Sequence, residues 1–205
     1  MNIKISILAT FLFGIVKLAG AQDTTSIYDL TPDENLNNPS IQSKHSSAVV
    51  RHIDGLINYF KKLDYTAEAR RRGEVACIII EADKLFAPND TVLKTKASVV
   101  LNHFQNIVRL PDMYKLVILC HSDDTADETY SDYLTEVRAN AVDEYLEGLI
   151  NNPNIQPNII PYGMSFEEPR FKNNSLENRR LNRRVEIYIV PEARLIKMAS
   201  DGKLN

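Results

Sequence analysis

The chain has 205 residues, 44% of them hydrophobic and 25% charged, the make-up of a globular protein long enough to bury one ordinary core. Its formal net charge is −3, from 24 basic and 27 acidic residues, which speaks against nucleic acid as the main partner. Seven glycines that never cluster leave no phosphate-cradling loop.

Residues 1–21 read as a secretory signal peptide. MNIK is its positive end, ISILATFLFGIV its apolar run, and Ala19-Gly20-Ala21 a small-x-small cleavage point. A buried N-terminal helix is the competing reading. The run falls short of the roughly 20 residues that span a bilayer. Cleavage after Ala21 would remove Lys4 and Lys17 and start an exported chain at Gln22 with no transmembrane span. No cysteine near that point offers itself for lipid anchoring.

Residues 22–45 are polar and aperiodic, the pattern of a flexible leader. Residues 46–72 carry an N-terminal helix and linker: Val49, Ile53, Leu56, Ile57 and Phe60 recur at helical spacing, with Ser46 or Ser47 as the expected cap. VACIIIEA (75–82) reads as a buried strand. Ala97, Val100, Leu101, Phe104, Ile107 and Val108 mark a second amphipathic helix, and YKLVILC (114–120) a second buried strand. An acidic loop then opens a third helix along Leu134, Val137, Ala141, Tyr145 and Leu149. Ile159-Ile160 begins a short strand, RRVEIYIV (183–190) forms the last one, and residues 193–205 form a tail helix. The order predicts an α/β (α+β) two-layer sandwich, with helices on one face of a mixed sheet and one extra N-terminal helix. The first two strands are expected to pair through a right-handed crossover. Cys77 and Cys120 fall in the strands and are expected as free buried thiols.

The stretch HSDDTADETYSDYLTEVRANAV (121–142) carries the chemistry. As a metal site, Asp123, Asp124 and Asp127 could join His121 or His103, but no calcium-loop or zinc spacing supports them. The chain has no G-x-S-x-G elbow, and neither cysteine sits beside a histidine in an exposed setting. We therefore expect no enzyme activity, no metal and no cofactor. Asp123 stands just past a strand's C-terminal end and Arg138 in the early turns of the next helix, so a folded-back loop can bring them together. Two readings stay open on spacing alone. The pair suits a ligand carrying both an ammonium and a carboxylate, or it is a structural ion pair pinning the loop.

Cys120-His121-Ser122-Asp123, Tyr130, Leu134-Thr135 and Arg138-Ala139 fall at the spacing of G-[HY]-T-D-x-x-G-x-x-x-Y-N-x-x-L-S-x-x-R-A. Leu85-Phe86 with Leu93-Lys94 upstream, then Tyr162-Gly163, Ser165, Pro169, Asn173, Arg179 and Asn182 to Ile187 downstream, continue the pattern. Over about residues 75–190 the chain thus resembles the OmpA-like domain, the peptidoglycan-associating module of bacterial envelope proteins, which places that domain at 73–192. The resemblance implies a non-enzymatic protein of the periplasm, associated with outer membrane or cell wall. Asp123 and Arg138 would hold the diaminopimelate of the peptidoglycan stem peptide, with Ser122, Asn182, Arg183 and Arg184 assisting. The pattern's first glycine is here Cys120, its loop glycine Ala126, the asparagine after tyrosine Ser131, and the acidic-aromatic pair of the first loop Ala87-Pro88. A lost glycine matters where the backbone needs φ > 0. The N-terminal helix has no place in the family core, so it would pack on the domain or present a surface to another envelope protein. One rival reading keeps the fold as a protein–protein interaction module without peptidoglycan binding. A second is a metal-dependent hydrolase using His121, Asp123 and Asp124.

Overall fold

The computed structural model describes residues 26–204; the expected signal peptide lies outside them. In chain order the elements are α1 (Pro32–Asn37), α2 (Ser43–Lys62), β1 (Thr66–Arg70), β2 (Val75–Glu81), α3 (Ala82–Leu85), α4 (Ala97–Leu101), α5 (Gln105–Val108), β3 (Tyr114–His121), α6 (Glu128–Glu147), β4 (Ile159–Gly163), α7 (Leu176–Asn182), β5 (Arg184–Pro191) and α8 (Ala193–Ser200). Among the described residues no helix is long and apolar enough to cross a membrane.

The strands form one mixed sheet in the order β1-β2-β5-β3-β4, with β3 and β4 parallel and every other pair antiparallel. This is the mixed α/β sandwich that the sequence order predicts. Within it, β2 and β3 do not pair. The last strand, β5, lies between them, with Ile187 opposite both Ile78 and Ile118. β3 and β5 are buried along their whole length, and that double-sided burial makes them the middle of the sheet.

The main core fills the face beneath α2, α4, α5, α6 and α8. Val49, Ile53, Ile57 and Phe60 of α2 are buried in it, and the Phe60 ring lies 4.8 Å from that of Phe104. The apolar stripe of the extra helix is thus consumed by the domain's own sheet. Neither expected serine caps α2. The helix starts earlier, behind Gln42, which puts Ser46 inside its first turns, where the hydroxyl donates to Glu74 Oε1 (2.7 Å). A strand that the sequence reading missed, β1, follows directly and pairs with β2.

The stretch read as a flexible leader holds α1, which corrects that expectation from residue 26 onward. A capping box of Thr31 and Glu34 starts the helix. Tertiary contacts then fix it on the sheet's other face. Asn35 is fully buried; its Nδ2 donates to the Tyr162 hydroxyl (2.6 Å) and its Oδ1 accepts from Lys115 Nζ (3.2 Å). Leu36 packs with Val117, Leu119, Tyr188 and Val190. Composition could not reveal this, since polar side chains do the anchoring. Cys77 belongs to this second cluster and Cys120 to the main core. Both are free and buried, on opposite faces of the sheet, and burial pushes the Cys120 thiol up to about 12.

Candidate functional site

Past the C-terminal end of β3 the chain turns outward at Ser122 and Asp123. The Ser122 N–H donates to the Ser165 carbonyl (2.7 Å), so the segment after β4 braces this corner. β4 can approach because Gly163 lies against α6: a Cβ there would sit 2.5 Å from the Glu136 backbone nitrogen. Asp127 starts α6 as its N-cap, accepting from the Tyr130 N–H at 3.0 Å. Asp124 meets Arg179 at 3.2 Å. Two of the loop's acids therefore have structural partners.

Asp123 is 4% exposed. Its Oδ1 accepts from the Thr125 N–H (3.0 Å) and from the Thr125 hydroxyl, and its Oδ2 from the Arg183 guanidinium. Burial pushes this carboxyl up, but the Thr125 bonds and Arg183 outweigh it and hold it below the usual carboxylate range. Arg138 is equally buried at 4%. Its Nε donates to the Asp90 carbonyl (2.8 Å), its Nη2 to the Ala87 carbonyl (3.2 Å), and its guanidinium lies 4.9 Å from the centre of the Phe86 ring. Burial lowers its pKa, yet a guanidinium stays charged. The two groups do not form an ion pair with each other, which removes the reading of a simple pinning bridge.

Both groups line one cavity of about 260 Å³, together with Ser122 and Arg183. The expected Asn182 and Arg184 do not line it. Asn182 is fully buried beneath the 171–173 segment, holding Phe171 through both its N–H (3.0 Å) and its carbonyl (2.7 Å). Arg184 points to the far face, where its Nε donates to Glu186 Oε1 (2.6 Å). Strand alternation explains the split, because consecutive residues entering β5 face opposite ways. The cavity also includes Thr125, which orients Asp123 and which the sequence reading did not single out, and Ser131, 1% exposed, which it named only as a departure from the pattern. The side-chain oxygens of Ser122 and Ser131 have no partner among the described residues. The departures from the glycine pattern strain nothing, since neither Cys120 nor Ala126 is among the residues with φ > 0. No group of three or more His, Cys, Asp or Glu side chains converges among the described residues. His121 itself is buried at the end of β3, opposite Arg184 of β5, and burial with the neighbouring Arg184 pushes its imidazole down to about 4.

Residues 85–183 match the model of the OmpA family. Outer membrane protein A of Bordetella avium is 30% identical over 115 residues, covering 56% of this chain and 58% of that protein. The chain thus spans little more than half the length of that curated relative. Among solved structures, a putative MotB-like protein from Desulfovibrio vulgaris aligns with a TM-score of 0.62 at 22% identity, over 73% of this chain and 95% of that one. The cell wall anchor of the T6SS from Pseudomonas aeruginosa aligns with a TM-score of 0.54 at 24% identity, over 70% and 97%. At such identities these two likenesses speak for the fold.

Proposed function

We propose, from the premise that residues 85–183 are an OmpA-family domain, that this protein is a non-enzymatic, exported envelope protein that binds peptidoglycan non-covalently. Asp123 and Arg138 hold the diaminopimelate of the stem peptide, and the protein thereby links the cell wall to the envelope. One observation carries the reading: two buried groups of opposite charge line a single cavity without pairing with each other. A buried charge is costly unless something meets it. Arg138 has donated only Nε and one Nη2 proton to the carbonyls of residues 90 and 87, so donors remain for a ligand carboxylate. Asp123 is ionised across neutral pH and presents the matching charge to an ammonium, sharing its Oδ2 with Arg183. The unpartnered Ser122 and Ser131 hydroxyls add polar contacts in the same cavity.

Co-sedimentation with insoluble sacculi tests this. The wild-type protein is expected in the pellet, and an Asp123→Ala, Arg138→Ala double variant in the supernatant with its cooperative unfolding preserved. Undiminished retention of the double variant would sink the assignment. Wild-type protein that never sediments would leave the domain as a protein–protein interaction module.

A further inference from the structure

The Asp123 carboxylate is held in two unlike ways. Thr125 fixes Oδ1 twice, through its N–H (3.0 Å) and its hydroxyl. Both bonds come from the same loop, two residues on, so they orient the carboxylate whatever else enters the cavity. Among the described residues only Arg183 meets Oδ2, and it does so through Nη1 alone. Such an end-on contact lacks the second, parallel bond of the guanidinium fork. The Arg183 side chain is 43% exposed, so water takes over its donors when it leaves, and a half-exposed pair is weak.

The main chain of Arg183 is pinned on both sides. Its N–H donates to the Arg179 carbonyl (3.0 Å), closing α7, and its carbonyl accepts from the Ala82 N–H (2.9 Å). Movement here is therefore a rotation of the side chain about a fixed backbone. A released guanidinium still has an acid in the wall of the same cavity, Asp83. That carboxylate lies 3.8 Å from Arg180, which Glu81 and Glu177 hold more closely.

The position of Arg183 conflicts with that of the ligand's ammonium. An ammonium bonding Asp123 approaches Oδ2, because Oδ1 already accepts twice. Sharing that oxygen sets two cations against each other. Arg138 is a further cation in the same cavity; burial lowers its pKa, and Arg183 adds to that as a like charge. A carboxylate bonding Arg138 meets no such obstacle.

We infer that Arg183 is a displaceable latch on Asp123: the ammonium of a zwitterion pushes it aside, and a carboxylate with no ammonium leaves it in place. The inference rests on the peptidoglycan reading of this cavity and deepens it. The latch keeps the buried Asp123 charge matched while the cavity is empty. Opening it weakens diaminopimelate binding by the strength of the Asp123–Arg183 pair, a loss that the ligand carboxylate offsets at Arg138. Arg183 thus opposes the ligand that it borders.

Calorimetric titration of wild type and Arg183→Met with two probes tests this: diaminopimelate, and pimelate, which keeps the chain and both carboxylates but has no ammonium. Diaminopimelate is expected to bind Arg183→Met about two- to fivefold tighter than wild type, the worth of a half-exposed ion pair. Pimelate is expected to bind the variant equally well or more weakly. A merely structural role for Arg183 would weaken both probes together. Diaminopimelate binding that is unchanged or weaker in Arg183→Met overturns the inference while the site stands, and so does a tightening of pimelate to the same degree. Failure of both proteins to bind diaminopimelate overturns the parent reading, and the latch with it.

Discussion

Arg183 and Arg184 follow one another in the chain and enter opposite worlds. The Arg183 side chain is 43% exposed, leans over the open cavity and bonds Asp123. That of Arg184 is 4% exposed and lies in a closed network, where Glu186 accepts from its Nε (2.6 Å) and from the Tyr188 hydroxyl (2.5 Å). In the first region charges face a space that a ligand can enter. In the second they face each other, and the Asn182 and Glu168 carbonyls accept from Arg184 Nη1 (3.2 Å) and Nη2 (3.0 Å). The difference teaches that arginine content alone does not mark a site. A buried, mutually satisfied network fixes the sheet, and a buried group with donors left over is available for binding.

The largest effect is expected from breaking the closed side. Arg184→Met leaves Glu186 buried without its counter-charge and should cost about 3–5 kcal/mol in denaturant unfolding. Arg183→Met should cost about 1 kcal/mol or less, as for a half-exposed pair. Equal costs would erase the distinction.

Acidity sharpens the comparison next. Burial first, then Arg184, holds the His121 imidazole near 4 against an ordinary 6.5, so between those values the unfolded chain binds the extra proton and acidification removes stability. That component amounts to roughly 3 kcal/mol. Asp143 acts in the opposite sense. Burial, then Glu147 and Glu144, lifts its carboxyl to about 7 from 3.8, so the folded chain takes up the proton first and acidification restores stability. His121→Gln should therefore reduce, relative to wild type, the stability lost as pH falls from 6.5 to 4. Asp143→Asn should steepen the loss from 6.5 to 4, as read from unfolding midpoints across that range.

Gly163→Ala tests the brace between β4 and α6. Backbone lies 2.5 Å from the added methyl, and such overpacking costs roughly 1–3 kcal/mol, measurable as a lowered Tm. The smallest stability effect belongs to the open side. Arg138→Lys keeps the charge but loses the planar fork, so sacculus binding should fall about tenfold or more, the worth of roughly 1.4 kcal/mol, while unfolding shifts by about 1 kcal/mol. A large unfolding penalty without a binding defect would place Arg138 with the closed network instead.

Much of this was legible in the sequence because it depends on local periodicity. The apolar runs 75–82 and 114–120, the α2 stripe and the spacing from Asp123 to Arg138 are patterns that strands, helices and a βα corner impose on any chain. β1 was not legible: its sequence TAEAR shows a strand neither by length nor by hydrophobicity, and pairing with β2 makes it one. α1 was hidden for a related reason, since Asn35, Lys115 and Tyr162 hold it through polar bonds between segments far apart in the chain.

The same division runs through the site. By itself, the sequence determined that Asp123 stands at a strand end and Arg138 on the helix that follows, because those are local facts; α6 starts at Glu128, so Arg138 lies at its middle rather than in its early turns. Only the tertiary structure decided that they do not pair, and that Arg183 joins Asp123 while Asn182 and Arg184 turn away. Those outcomes follow from β5, last in the chain, inserting between β2 and β3, and no local pattern encodes which neighbours a strand will find.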